Sequence, residues 1–181
     1  AIAAWCEGRG IACYRGPEDD VLARFALAAR AEAAEIVLRL TGDCPLLDPH
    51  VCGQVLALLK QQQADYATNT DPRRWPDGLD CEAMTAGALL QADRDAHGSF
   101  EREHVTPYLR TNSQIFKTSF LPCPLPGLSN ERWTLDTGED FDFLARLCNL
   151  LPDNQPPSFM EVLSVLAAHP TLRRAPAATG L

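Results

Sequence analysis

Apolar positions along the chain fall into short runs and amphipathic stretches that alternate with little interruption. Ile36, Val37, Leu38 and Leu40 form a nearly continuous apolar run, the pattern of a strand covered on both faces of a parallel sheet. Thr41-Gly42-Asp43 ends it, and Pro45 has no amide to give to a ladder. Asp48-Pro49 then reads as an N-cap followed by proline at the first helical position, opening a helix through Val51, Val55, Leu56 and Leu59 to Lys60. Asp43 is thereby expected just past the carboxyl end of a central strand, where open α/β sheets bind ligands. A carboxylate there can hold a metal ion over a phosphate chain, or can simply shape the turn.

The same alternation runs through the rest of the chain. Ala1 to Glu7 predicts the end of a helix closed by Gly8-Arg9-Gly10, Ile11 to Tyr14 a short strand, and Pro17 to Asp20 the acidic cap of a helix reaching Ala34. Further strands are predicted over 64–68, 79–84, 115–120 and about 132–135, with Arg73 to Gly78 a polar loop. Thr85 is placed to cap a helix over 86–96 and Ser99 to cap the next, which Pro107 kinks or breaks. A helix with Phe141, Leu144, Leu147 and Cys148 on one face follows. Ser158 with Glu161 is a capping box opening a last helix to His169. The order predicts a three-layer α/β fold, one domain over residues 1–181. The chain opens in a helix and carries no Gly-rich or Gly-Lys loop. The first strand-loop-helix of a nucleotide-binding sheet is therefore expected to be missing.

Composition narrows the classes. A chain of 181 residues can bury a sizeable core. No apolar run approaches the ~20 residues of a membrane span, and the first residues lack the basic flank and apolar core of a signal peptide. Seven cysteines without a C-x-x-C pair argue against a disulfide framework or a zinc site, and for reduced thiols in the cytoplasm. The net charge is −8 and Lys and Arg form no dense run, so no nucleic-acid partner is expected. A small anionic substrate stays compatible, because charges beyond ~8 Å are largely screened at physiological salt.

Six longer motifs carry more specific information. They are Gly16-Pro17-Glu18-Asp19-Asp20-Val21-Leu22-Ala23-Arg24-Phe25, Arg39-x-Thr41-Gly42-Asp43-Cys44-Pro45-Leu46-Leu47-Asp48-Pro49, Asn69-Thr70, Pro76-Asp77-Gly78-Leu79-Asp80-x-Glu82, Glu101-Arg102-Glu103-His104-Val105-Thr106-Pro107-Tyr108 and Arg132-Trp133-Thr134-Leu135-Asp136-Thr137-x-Glu139-Asp140-Phe141. In this order they resemble the cytidylyltransferases of the spore-coat polysaccharide biosynthesis branch. That branch is related to the enzymes that activate 3-deoxy-manno-octulosonate and acylneuraminate with CTP. The resemblance runs from about Trp5 to the last helix. It implies a Rossmann-like nucleotidyltransferase fold, here without the family's amino-terminal strand and its phosphate-gripping loop. It also implies attack by a sugar hydroxyl on the α-phosphate of CTP, giving a CMP-sugar and pyrophosphate for surface polysaccharide synthesis. CTP and a sugar acceptor are the implied partners, and a homodimer is admitted.

Magnesium is the implied cofactor, a hard ion held by one or two carboxylates with phosphate oxygens and waters. By resemblance, Asp43 and Asp136 supply those carboxylates; the alternative for Asp136 is to cap the following helix, for which Thr137 and Asp140 are also available. His104 can act on the acceptor in proton transfer, or brace a kinked helix by hydrogen bonds. Arg102 can grip the acceptor, or pair with a neighbouring Glu. Asp80 and Glu82 are expected on one face of a strand, binding sugar hydroxyls or lining an edge. Asn69 is a substrate-binding candidate by resemblance, and Arg24 and Arg39 can meet phosphates or pair with Asp19 and Asp20. Trp133 is expected in the core. Two other classes stay open: a catalytically silent binding or assembly domain, and a nucleotide-sugar-dependent glycosyltransferase, whose usual Asp-x-Asp pair is not supplied at Thr41-Gly42-Asp43.

Overall fold

A computed structural model describes residues 1–152 and 156–172. The chain order is α1 (Ile2–Glu7), α2 (Val21–Ala31), β1 (Ile36–Arg39), α3 (Pro49–Gln61), β2 (Tyr66–Thr68), β3 (Glu82–Thr85), α4 (Ala86–Asp95), α5 (Ser99–His104), α6 (Pro107–Thr111), β4 (Thr118–Phe120), α7 (Gly138–Cys148) and α8 (Phe159–Ala168). The fold is α/β, with the four strands in the order β1-β3-β2-β4. The hydrogen bonds at the strand ends give the directions. Ala86 N–H, just after β3, donates to Glu35 O, just before β1, and Asn69 N–H, just after β2, donates to Cys81 O, just before β3. So β3 runs antiparallel to both neighbours. Leu121 N–H donates to Thr68 O at 2.8 Å, joining the carboxyl ends of β4 and β2 as in a parallel pair. The sheet is therefore mixed, where the apolar runs alone predict a parallel one. No described helix is long and apolar enough to cross a membrane, and all seven thiols are free.

The chain forms two compact units, Ala1–Val37 with Met84–Thr118, and Leu38–Ala83 with Ser119–Leu181. In the first, α2 packs on α4 and α5. Its buried face is Leu22, Ala26 and Ala29, and that of α4 includes Ala88, Leu89 and Ala92, the alanines leaving room for the helices to approach. Asp20 caps α2 by accepting from Ala23 N–H at 2.9 Å, and Thr85 caps α4. The chain breaks after α5 at Val105, with φ of 73°, and α6 restarts with Pro107 at its first turn.

The second unit is built on an apolar cluster around Trp75, Trp133, Leu46, Leu79, Phe143, Leu147, Val162 and Leu166. The loop at 70–80, polar in sequence, is pinned by one aromatic residue. Trp75 is buried, meets Phe159 edge to face at 5.1 Å, and donates from Nε1 to Leu121 O at 2.9 Å. Asp48, also buried, caps two helices at once. Oδ1 accepts from His50 and Val51 N–H at the start of α3, and Oδ2 accepts from Phe159 N–H at the start of α8.

Several expectations change in three dimensions. β1 stands at the edge of the sheet order, and Leu38 and Leu40 are 38% and 41% exposed, because an edge strand has a neighbour on one side only. Residues 11–14 form no strand; the Ile11 amide instead bonds back to Cys6 O. Gly98, not Ser99, caps α5, with Glu101 reaching back to its amide. The segment 132–135 is extended but joins the sheet nowhere, making one isolated bridge from Arg132 to Asp77. On α7 the buried face is Asp140, Phe143, Leu144 and Leu147, while Phe141 is 61% exposed. Trp133 is in the core, as expected.

Candidate active site

Two loop segments of the second unit, around Asp43 and Asp77, come together beside the stretch 131–136. Asp77 N–H donates to Glu131 O at 2.9 Å, and Trp133 N–H returns to Asp77 O at 2.6 Å. Two residues on, Leu135 N–H donates to Asp43 O at 2.8 Å. Gly78 permits this approach. Its φ is +111°, and a Cβ there would stand 2.8 Å from the Trp133 carbonyl carbon, so any side chain would push the segments apart. Asp43, Asp77 and Asp136 are thus brought onto neighbouring loops by backbone hydrogen bonds.

Their carboxylates differ in what holds them. Asp136 Oδ2 accepts from Arg132 Nη2 at 2.5 Å and from Thr134 Oγ1 at 2.9 Å, while Oδ1 has no hydrogen bond among the described residues. Thr137 caps α7 with Asp140 in a capping box, so Asp136 is not needed as the cap. Asp140 is fully buried, accepting from the Asp136 and Thr137 amides at 2.8 and 2.7 Å and from both Arg132 Nη atoms. The hydrogen bond to Asp140 raises the Arg132 pKa against the cost of burial. Arg73 makes a two-pronged pair with Asp80, at 3.1 and 2.9 Å, and lies 3.1 Å from Asp77. Burial raises the Asp77 pKa, Asp80 and Asp136 add to the rise, and Arg73 and Arg132 oppose it.

Asp43 stands apart. Its carboxylate is approached only by the Cys44 thiol at 3.8 Å and has no cationic partner among the described residues. Burial pushes the Cys44 thiol up to about 11, the Thr41 hydroxyl at 3.2 Å opposes this, and Asp43 and Asp80 add to it. Cys44 is therefore held in the thiol form at neutral pH.

The other candidate residues sit as follows. Asn69 is buried and spans the base of the 70–80 loop, donating to Leu79 O at 2.7 Å and accepting from Cys81 N–H at 2.9 Å. Glu82 is buried on β3 and accepts from Arg39 of β1 and Tyr66 of β2, a link across three strands. β3 begins at Glu82, so the alternation expected to put Asp80 on its face does not reach Asp80, which turns to Arg73 instead. Three candidates belong to the first unit. Arg102 commits all five of its N–H donors there, to Asp20, to Asp93, and to the carbonyls of Asp93 and Ala96. His104 is exposed with its ring 4.5 Å from that of Phe100, and Arg24 makes one long contact to Glu18 O at 3.5 Å. Read from the sequence alone, Arg132, Arg73 and Asp77 carry no individual role, and Asp140 is only an alternative cap for the helix after Asp136. Their signal is spacing: Arg73 to Asp77, Arg132 to Asp136 and Asp136 to Asp140 are each four apart.

The donor set suits magnesium. No group of three or more His, Cys, Asp or Glu among the described residues forms a cage. A magnesium ion that travels with a triphosphate requires only one or two protein carboxylates. Asp43 and Oδ1 of Asp136, which have no cationic partner and no hydrogen bond respectively among the described residues, are hard oxygen donors of that kind.

Comparison with known proteins adds an independent line. A family model described as Cytidylyltransferase matches residues 2–167. The chain is 34% identical over 149 residues to an uncharacterised protein of Methanocaldococcus jannaschii, covering 81% of this chain and 60% of that one. It is 29% identical over 171 residues to the spore coat polysaccharide biosynthesis protein SpsF of Bacillus subtilis, covering 93% of this chain and 70% of the relative. The solved structure of a cytidylyltransferase from Leptospira borgpetersenii superposes with a TM-score of 0.88 at 27% identity, over 99% of this chain and 75% of that one. The chain thus spans about three-fifths of the first relative's length.

Proposed function

Since the chain belongs to the cytidylyltransferase family, we propose that it serves the transfer of a cytidylyl group from CTP to a sugar, releasing pyrophosphate, in the synthesis of a polysaccharide. The observation that carries this reading is the pair Asp43 and Asp136. Among the described residues one carboxylate has no cationic partner and the other has one oxygen without a hydrogen bond, on loops joined by the Leu135–Asp43 hydrogen bond. Asp43 and Asp136 would hold magnesium, which supplies neutralisation of phosphate charge and orientation of the α-phosphate. The chain's own residues do the rest of the positioning. Arg132 and Thr134 keep Asp136 in one orientation, and Arg73 keeps Asp77 and Asp80 on a loop that Trp75 anchors in the core. The sugar hydroxyl attacks the α-phosphorus, and the bond to pyrophosphate breaks. A cytoplasmic location fits a CTP-consuming reaction and seven free thiols.

The test is pyrophosphate release from CTP, UTP and ATP, each with a panel of acidic and neutral sugars. A version that supplies the family's amino-terminal strand and loop is expected to release it with CTP, dependent on magnesium and on the sugar. Turnover of UTP with none of CTP overturns the assignment, and release of a nucleoside diphosphate in place of pyrophosphate identifies a glycosyltransferase.

A further inference from the structure

Asp136 would be a poor ligand if it were free to rotate, since nearly half of its side chain is exposed. Three groups hold it. Asp140 accepts from its amide at 2.8 Å, Thr134 Oγ1 donates to Oδ2 at 2.9 Å, and Arg132 Nη2 donates to the same oxygen at 2.5 Å. Arg132 is itself anchored, because its Nη1 and Nη2 also reach the two oxygens of Asp140 at 2.8 and 3.1 Å. Asp140 has no exposure, and a guanidinium that left it would give up two hydrogen bonds to a buried carboxylate, which holds Arg132 back from swinging toward a phosphate.

We propose that Arg132 is a positioning residue for Asp136, with Asp140 as its buried anchor, and that together they present Oδ1 of Asp136 to the divalent cation accompanying the nucleotide. The inference rests on the cytidylyl-transfer reading above. The planar guanidinium is suited to this. Its fork serves two carboxylates in fixed directions, whereas a lysine ammonium can satisfy Asp140 without fixing Asp136. Groups that orient a metal-binding carboxylate from behind typically change metal affinity by ~10–100-fold. Nothing in the arrangement requires Arg132 to touch substrate, which separates its role from that of Asp43 and Asp136.

The experiment measures Mn²⁺ affinity by electron paramagnetic resonance, with CTP present, for the unsubstituted chain, Arg132→Lys, Thr134→Val, Asp136→Asn, and each of the first two combined with Asp136→Asn. Arg132→Lys is expected to weaken Mn²⁺ binding ~10-fold and Thr134→Val by a smaller factor. Both losses should vanish in the Asp136→Asn background, because a group acting through Asp136 has nothing left to orient. Thr134→Val leaves the buried ion pair in place, so the test stands even where Arg132→Lys folds poorly. Penalties that add to that of Asp136→Asn overturn the positioning role and leave the metal reading standing. Mn²⁺ binding that ignores Asp136→Asn, or no Mn²⁺ binding by the unsubstituted chain, overturns the metal reading and this inference with it.

Discussion

In the first unit Arg102 meets Asp20 and Asp93, and Arg30 meets Asp93 again, two guanidiniums for two carboxylates. In the second unit Arg132 meets Asp136 and Asp140, Arg73 meets Asp77 and Asp80, and Asp43 has no partner among them. The chemistry of the contacts is alike, but the balance is not. The Arg102 network is closed. Its donors are all used, and the Arg102 hydrogen bond holds the Asp20 carboxyl below its usual range. The Arg132 and Arg73 loops carry surplus negative charge, and burial with neighbouring carboxylates pushes Asp77 the other way. A closed network ties helices together, whereas one with uncompensated carboxylates is stabilised further by a cation.

The contrast can be broken most forcefully at Asp140. Asp140→Ala leaves Arg132 without its buried partner and should cost about 3–5 kcal/mol of stability in urea unfolding. Asp93→Ala should cost only about 2 kcal/mol, because Arg102 keeps Asp20 and two carbonyls. Equal costs would mean that the two networks do the same job. Next in size is the site itself. In a version that supplies the family's amino-terminal loop, Asp43→Asn or Asp136→Asn should lower magnesium-dependent pyrophosphate release at least ~100-fold, equivalent to ~2.7 kcal/mol of transition-state stabilisation. Asn keeps the turn and removes the charge, so full activity in both variants would return Asp43 and Asp136 to turn formation alone.

Acid sharpens the comparison. The folded-state pKa of Asp20 is depressed, so its contribution is fully present above the ordinary carboxyl value of about 3.9 and is lost as pH falls through the lowered one. Asp20→Asn should therefore flatten the pH dependence of the melting temperature below about pH 4 and leave a uniformly less stable protein above it. The smallest effect has the opposite sign. The Asp77 pKa is raised, so its ionised form costs stability, and that cost grows as pH rises past the unfolded value to the folded one. Asp77→Asn should raise stability at neutral pH by ~0.5 kcal/mol or less, because its side chain is 37% exposed and solvent screens it. Added Mg²⁺ with CTP should shrink that gain. A destabilised Asp77→Asn protein would show that Arg73 depends on Asp77 more than Asp77 suffers from its acidic neighbours.

What the chain determined by itself is local. Asp48 before Pro49, Thr85, Thr137 and the Ser158–Glu161 box all cap the helices they precede, because a side chain needs only to reach an amide two or three residues on. The place of Asp43 after β1 was legible for the same reason, as was Trp133 in the core. Tertiary structure decided everything that depends on a partner distant in sequence. Residues 11–14 found no strand to pair with, 131–135 paired with Asp77 and Asp43 instead of entering the sheet, and β3 ran antiparallel to both neighbours where the apolar runs predict a parallel sheet. It also decided which arginine serves which unit. Arg102 and Arg132 read alike in sequence, each with acids nearby, and only packing closes the first onto Asp20, 82 residues away, while the second stays with acids four and eight residues on. A guanidinium's role follows from which of its donors remain free, and the fold alone distributes them.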